Sequence, residues 1–229
     1  IGPLEPEFER ILSSAQQSIM SAPAAQRLGI ESTYRTRGPR AAGTDTIDVA
    51  SYADVENIVI AGTGAIGLLG DSAANLLVGN ASVNLLQGNG GDDTLDGGAG
   101  LDTMQGGAGD DLYVLSMATD VVTELASEGT DTVRIAFANT ASTAKLLKLD
   151  DYLNIENLEV TGGGLYNLLG GTGDNVLKGN ASANVIDGGA GADTMEGGAG
   201  ADVYKVDVDA DVVVDSIPVG QRPRGIGFT

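Results

Sequence analysis

The stretch "GGAGLDTMQGGAGDDLYV" at residues 97–114 returns almost unchanged as "GGAGADTMEGGAGADVYK" at residues 188–205. Both stretches consist of two nonapeptides with glycine in the first, second and fourth places, aspartate in the sixth and an apolar side chain in the eighth. Division of the chain every nine residues gives six successive nonapeptides, or lines, from residue 61 and five from residue 161. The other lines keep the apolar eighth place but vary in the other places. A fixed period of this kind is typical of a repeat architecture, so we predict stacked units rather than a globule.

The eighth place of the nonapeptide predicts the core. All eleven lines carry an apolar residue there, although only 42% of the chain is hydrophobic. Glycine in the turn places permits a positive φ at little cost. Six residues of turn followed by three residues around one inward side chain make half of a flattened coil, so two nonapeptides complete an 18-residue turn. We therefore predict an all-β fold: a right-handed parallel β-roll, or β-solenoid, with two repeat blocks and a short N-terminal helix.

Composition and charge restrict the chemistry. The chain has no Cys, His or Trp, which excludes disulfides, thiolate zinc sites and catalysis by imidazole or thiol. No nucleophile–base pair is visible, and we expect no enzyme activity from these residues. Residues 41–229 carry 7 basic and 28 acidic side chains, so the expected partners are cations and not nucleic acid. No apolar run reaches the roughly 20 residues of a membrane span.

The sixth place carries a recognisable chemistry. Lines 88–114 and 188–205 fit the consensus G-G-x-G-x-D-x-U-x, and lines 61–87 and 161–187 follow the same register less closely. This pattern resembles the calcium-binding nonapeptide of the RTX (repeats-in-toxin), or haemolysin-type, family of bacterial proteins exported by type I secretion. The resemblance implies that several Ca²⁺ ions lie between neighbouring turns, and that calcium drives folding after the chain is secreted.

Stacking explains why the aspartates need a cation. In an 18-residue turn Asp93 faces Asp111, and Asp102 lies between Asn84 and Asp120. Close carboxylates repel each other by about 1–4 kcal/mol at intermediate dielectric. Calcium reverses the sign, because it takes six to eight oxygen ligands in a loose geometry. In the alternative interpretation Asp and Gly only favour turns, and the carboxylates are solvated.

The resemblance also names the ligands. The carboxylates are those of the sixth-place residues Asp93, Asp102, Asp111 and Asp193, Asp202, together with Asp120 and Asp211, which finish the two blocks. Weaker ligands are the sixth-place amides of Asn84 and Asn184. Backbone oxygens are expected around the turn glycines Gly88, Gly91, Gly97, Gly100, Gly106, Gly109, Gly188, Gly191, Gly197 and Gly200.

A longer repetition surrounds the blocks, since "GTDTIDVA" at 43–50 matches "GTDTVRIA" at 129–136. We predict a first unit at 41–128 with its roll at 61–123, and a second unit at 129–216 with its roll at 161–214. Residues 1–40 are predicted to form an amphipathic helix and an Arg-containing linker, and residues 217–229 a basic tail. The helix either caps the solenoid or binds a partner.

The expected shape is one continuous solenoid. Strands are predicted near 57–61, 120–124, 131–137 and 156–161, and a short helix within 141–153. The chain begins with Ile1 rather than Met, and shows no signal peptide. We expect a processed chain or a piece of a longer one.

Two functional classes stay open at this stage. In the first, the roll is an extracellular structural module of a surface layer, matrix or adhesin, with self-assembly or a cell-surface partner. In the second, it is the calcium-binding secretion and stability module of an enzyme, a protease, lipase or epimerase, whose catalytic domain lies outside these residues.

Overall fold

The computed structural model describes residues 45–52, 55–207 and 211–214. These residues form short parallel strands joined by tight turns, with two single 3₁₀ turns at Val49–Ser51 and Leu149–Asp151. Consecutive strands alternate between two faces of a flattened coil. The predicted parallel β-solenoid is confirmed.

One face is a single nine-stranded sheet that runs through both repeat blocks. Its strands are β2 (Asn57–Val59), β4 (Leu76–Val78), β6 (Thr94–Asp96), β8 (Leu112–Leu115), β10 (Thr132–Ile135), β12 (Asn157–Val160), β14 (Val176–Lys178), β16 (Thr194–Glu196) and β18 (Val212–Val214). Strands β2, β10 and β12 fall inside three of the four strands that the sequence predicts.

The other face is divided into two sheets. A five-stranded sheet contains β1 (Asp45–Asp48), β3 (Ile66–Leu69), β5 (Leu85–Gly90), β7 (Thr103–Ala108) and β9 (Val121–Val122). A four-stranded sheet contains β11 (Lys145–Lys148), β13 (Tyr166–Leu169), β15 (Val185–Asp187) and β17 (Val203–Lys205). Strand β9 falls inside the fourth predicted strand, and the interruption between β9 and β11 lies at the joint of the two blocks.

The eighth-place side chains form the core, as the period predicts. Ten of the eleven are at most 1% exposed, and Tyr204 near the C-terminal end of the roll is partly buried. Each side chain stacks on its counterpart two lines away; Leu86, for example, pairs with Leu68 on one side and Met104 on the other. A continuous apolar column therefore runs through the coil and replaces a globular core.

Registers within a block follow the 18-residue turn, and registers at the joint do not. Leu76 pairs with Thr94, and Thr94 pairs with Leu112. Across the joint Leu112 pairs with Thr132, and Thr132 pairs with Asn157, so both of these turns are longer than those inside the blocks. Because the nine-stranded sheet passes through without interruption, the division into two units stays a prediction.

The short helix predicted within 141–153 is wrong. Residues 145–148 form strand β11, and only the 3₁₀ turn Leu149–Asp151 is helical. Leu147 and Leu149 are buried while Leu146 is half exposed, which is the two-residue period of a strand. The predicted N-terminal helix, linker and basic tail lie outside the described residues. Within the described ranges, no helix is long and apolar enough to cross a bilayer.

Candidate metal centre

Sixth-place side chains form ladders along both edges of the coil, because each turn places them directly over their counterparts. On one edge the amide N–H groups of Asn75 and Asp93 donate to Oδ1 of Asp93 and Asp111, both at 2.7 Å. The ladder continues where Asp111 N donates to Oδ1 of Asp131 and Asp131 N donates to Glu156 Oε2, both at 2.8 Å. Asp131 and Glu156 were not among the residues predicted from the sequence, since neither lies in a nonapeptide.

The opposite edge and the second block repeat this arrangement. Asn84 N donates to Asp102 Oδ1 at 2.8 Å, and Asp102 N donates to Asp120 Oδ1 at 3.3 Å. In the second block the acceptors are Asp193, Asp202 and Asp211, at 2.8–3.0 Å from the N–H group 18 residues before. All seven predicted aspartates are thus in the ladders.

Four of these aspartates each have an oxygen with no partner. Asp93, Asp102, Asp111 and Asp193 are 0–2% exposed, so the alternative interpretation of solvated turn carboxylates is wrong for them. In each, Oδ1 accepts the ladder hydrogen bond, while Oδ2 is buried and accepts none. A buried carboxylate without full compensation costs several kcal/mol unless it is protonated or meets a cation.

The protonation equilibria reflect this cost. Burial raises the pKa of Asp93 and of Asp102 to about 6, although each accepts a backbone hydrogen bond that lowers it. Burial raises the pKa of Asp111 to about 7, and the nearby carboxylates of Asp93, Asp131 and Glu124 raise it further. These carboxylates therefore take up protons at a higher pH than ordinary aspartates, and a bound cation would stabilise their ionised form.

First-place glycines leave space for converging oxygens. A Cβ on Gly88 would collide with Asp93 Oδ2 and would lie 2.7 Å from the carbonyl oxygen of Gly106 in the next turn. A Cβ on Gly97 would lie 2.6 Å from Asp102 Oδ2. Glycine is needed in the first place because oxygen atoms approach its Cα closely. In the second and fourth places, as at Gly98 and Gly100, glycine is needed because the backbone has a positive φ.

The asparagine lines solve the same problem without a cation. Asn84 Oδ1 accepts from Asn80 N, and Asn84 Nδ2 donates to the carbonyl of Ile66, both at 2.8 Å. Asn80 Nδ2 in turn donates to the carbonyls of Gly62 and Gly64, at 2.8 and 2.9 Å. Asn180 and Asn184 make the corresponding bonds in the second block. The line of Asn75 differs, because its Nδ2 is buried and has no partner. The weaker calcium binding expected of Asn84 and Asn184 stays a prediction.

The backbone at the second place of the line differs between the two turns. In aspartate lines this residue has a positive φ: Asn89, Gly98, Gly107, Gly189 and Gly198. In the asparagine lines its φ is negative, and its N–H donates to the sixth-place amide oxygen. The identity of the second-place residue does not explain this difference, because Asn89 occupies it in an aspartate line and Gly171 in an asparagine line.

The aspartates that finish each block differ from those inside it. Asp120 Oδ2 accepts from Met117 N, and Asp211 Oδ2 accepts from Asp207 N, both at 2.9 Å. Backbone N–H groups thus satisfy both oxygens of each carboxylate. Their role as calcium ligands stays a prediction, with less support than that of the interior aspartates.

The donor set fits a hard cation. Every candidate ligand is a carboxylate or carbonyl oxygen, the type that Ca²⁺ prefers. Within the described residues, the side-chain ion pairs Arg134–Glu159 and Lys205–Asp187 involve other carboxylates. The orphaned Oδ2 atoms therefore have no lysine or arginine as counter-ion there.

Comparison with known proteins agrees with this geometry. A family model described as the RTX calcium-binding nonapeptide repeat (4 copies) matches residues 69–104, 78–113 and 169–204. None of the curated proteins matches the chain. The matched stretches are RTX repeats, and RTX nonapeptide repeats bind Ca²⁺ ions. The chain thus contains calcium-binding RTX repeats in a parallel β-solenoid.

Proposed function

We propose that this chain is a secreted module that folds when it binds calcium, and that the interior aspartates are its ligands. The observation that carries the proposal is the orphaned, buried Oδ2 of Asp93, Asp102, Asp111 and Asp193. Such atoms destabilise the fold at neutral pH until a cation reaches them, so binding energy becomes folding energy. Secretion is supported by the RTX repeats, since proteins with such repeats are generally secreted by bacteria.

Each group of the turn has a distinct role in this mechanism. Bound calcium would supply positive charge and bridge oxygens of neighbouring turns. Oδ1 of the aspartate holds the next turn through the ladder hydrogen bond, which leaves Oδ2 for the ion. The first-place glycine gives access, and the positive φ in the second and fourth places turns the backbone around the site.

The asparagine lines have a supporting role in this proposal. Asn84 and Asn184 satisfy their amides within the chain, so their lines close without an ion. Calcium then completes the aspartate lines that follow them. A cytosol poor in calcium keeps these acidic turns open, and an extracellular concentration in the range of about 10⁻⁴–10⁻³ M closes them.

The structural class is the better supported use of such a module. Within the described residues, strands β2 and β18 lie at the two ends of the nine-stranded sheet. Each of them has a neighbouring strand on only one side in that sheet. Such ends can pair with another copy or partner. In the alternative, the chain is the calcium-binding module of a secreted enzyme. A longer parent reading frame that encodes a catalytic domain would favour this alternative.

Circular dichroism with and without a chelator tests the switch. We expect the β signal to be lost in excess chelator and restored by calcium in the millimolar range, with magnesium much less effective because it demands a smaller, more rigid site. A β signal and melting temperature that do not change on chelation would contradict calcium-driven folding.

A further inference from the structure

A second type of carboxylate cluster lies at the joint, outside the nonapeptide register. Carboxylate oxygens of Asp111, Glu124 and Asp131 lie within 4.8 Å of one another, and all three residues are buried. Asp111 ends the matched repeats of the first block, whereas Glu124 and Asp131 lie beyond them. Three parts of the chain therefore bring their acids together: a repeat turn, the segment after β9 and the segment before β10.

Hydrogen bonds fix each acid in place but leave oxygens for a ligand. Glu124 accepts from the hydroxyl of Tyr113 and, through Oε1, from Leu125 N at 3.0 Å. Asp131 Oδ1 accepts from Asp111 N at 2.8 Å. The carbonyl oxygen of Glu124 accepts from Asn154 Nδ2 at 2.9 Å, which ties this segment to the turn before β12.

An unpartnered atom points into the cluster. Asp111 is 2% exposed, and its Oδ2 has no hydrogen-bond partner. That oxygen and the hydroxyl of Tyr113 lie against the same side of Gly106, where a Cβ would touch both. The Tyr113 hydroxyl also donates to Glu124, so this hydroxyl lies close to both carboxylates. Nearby, Oε2 of Glu128 is also buried and without a partner.

We propose that Asp111, Glu124 and Asp131 bind one further Ca²⁺ ion, which ties the end of the first repeat block to the segment that leads into β10. Three carboxylates supply hard, anionic oxygens in a loose arrangement, which suits calcium better than the octahedral demands of magnesium. The proposal rests on the proposed function for the identity of the ion. It differs from the repeat sites because two of its ligands, Glu124 and Asp131, lie outside the nonapeptides.

The joint is where such an ion has most effect. The 18-residue register ends here, and the strands β8, β10 and β12 are connected by longer turns than those inside the blocks. On the second face of the coil no strand pairing connects β9 to β11 within the described residues. Glu124 and Asp131 lie between β9 and β11, so an ion that also binds Asp111 would hold this interrupted segment against the first block.

Calcium stoichiometry of the full chain tests the proposal. Equilibrium dialysis at saturating calcium should give one bound ion fewer for Glu124→Gln and for Asp131→Asn than for the wild type. Glu196→Gln, on β16 away from the joint, is the matched control and should bind the wild-type number. Asp193→Asn tests a repeat site, and this variant should bind less calcium than the wild type whether or not the joint site exists. Circular dichroism in calcium verifies that each variant is folded.

The outcomes separate the two proposals. If Glu124→Gln and Asp131→Asn bind the wild-type number while Asp193→Asn binds less, the joint site is refuted and calcium-driven folding stands. If the wild type binds no calcium in the millimolar range, both are refuted. Should the joint variants fail to fold, crystals of the calcium-loaded wild type decide: an anomalous peak between Asp111, Glu124 and Asp131 supports the site. Peaks at the repeat turns alone overturn it.

Discussion

An aspartate and an asparagine in the same sixth place produce two different turns. The amides of Asn84 and Asn184 donate and accept within the chain, and their turns have a negative φ in the second place. The aspartate cannot donate when ionised, so its second oxygen stays without a partner in a turn that glycine opens. In the proposed mechanism, the choice of one side-chain atom, nitrogen or oxygen, thus determines whether the turn needs an external cation.

The first-place glycine can be tested by adding a methyl group. In Gly88→Ala the new Cβ would collide with Asp93 Oδ2 and approach the Gly106 carbonyl at 2.7 Å. We expect weaker calcium binding and a free energy of unfolding in calcium lower by about 1–3 kcal/mol, the usual cost of overpacking. Calcium titration and urea denaturation measure both quantities.

Gly173→Ala is the matched control, since no atom lies within 4 Å of its Cβ position and its φ is not positive. It should unfold at the wild-type urea concentration or slightly higher. Equal destabilisation by both substitutions would contradict the role of Gly88 in leaving space for the converging oxygens.

The raised pKa values predict how pH affects the metal-free chain. The pKa of Asp93 and Asp102 is about 6 in the fold and of Asp111 about 7, against an ordinary 3.8 when unfolded. The metal-free fold therefore holds extra protons between these values, and its stability falls as pH rises from about 4 through 6–7. Calcium displaces the same protons, so its affinity should fall as pH is lowered through this window.

Circular dichroism in chelator, compared at about pH 5 and pH 7.5, measures this effect, because more of the β signal should remain at pH 5. Asp193→Asn should reduce the dependence, because burial raises the pKa of Asp193 too. Asp151→Asn, which removes an exposed carboxylate, should leave it nearly unchanged. A metal-free chain that becomes more stable as pH rises would contradict the prediction.

At the scale of strands, one inward side chain per strand carries most of the packing. Strand β6 is three residues long and contributes Leu95, which is fully buried, between the half-buried Thr94 and Asp96. So short a strand is stable only because parallel neighbours pair on both sides and their eighth-place side chains stack.

Removing one member of the column should be costly. Leu95→Ala deletes a fully buried side chain, and we expect a loss of about 2–5 kcal/mol in the free energy of unfolding in calcium. Leu101→Ala removes the same atoms from a residue that is 57% exposed in the adjacent turn, and should change stability by less than about 0.5 kcal/mol. Urea denaturation compares them, and similar losses would contradict the column as the source of stability.

At the scale of the whole molecule, asparagine lines and aspartate lines follow one another in the same order in each block. The asparagine lines at 70–87 precede the aspartate lines at 88–114, and 170–187 precede 188–205. Because stability in a solenoid is a sum over neighbouring repeats, the closed turns provide a surface on which the aspartate turns can stack.

Hydrogen exchange in chelator tests this order. We expect amides of residues 70–87 and 170–187 to retain more protection than those of 88–114 and 188–205, with the difference disappearing in saturating calcium. Uniform exchange along the chain without calcium would show that the asparagine turns do not form independently.

The period alone determined the solenoid, the inward places and the lines that stack, because a repeat of nine residues permits only one register in an 18-residue turn. It also placed the aspartates over one another. The irregular segments were less predictable, as the strand at Lys145–Lys148 in place of a helix shows.

Only the tertiary structure decided where each oxygen lies. Asp93 Oδ2 has no hydrogen-bond partner, whereas Asn84 Oδ1 accepts from Asn80 N. This difference depends on backbone angles and burial, which composition does not fix. Likewise, Glu124 and Asp131 meet Asp111 across sequence separations that are not multiples of the repeat. Their proximity arises from the path of the chain at the joint, where packing against neighbouring turns and not a repeated spacing sets the geometry.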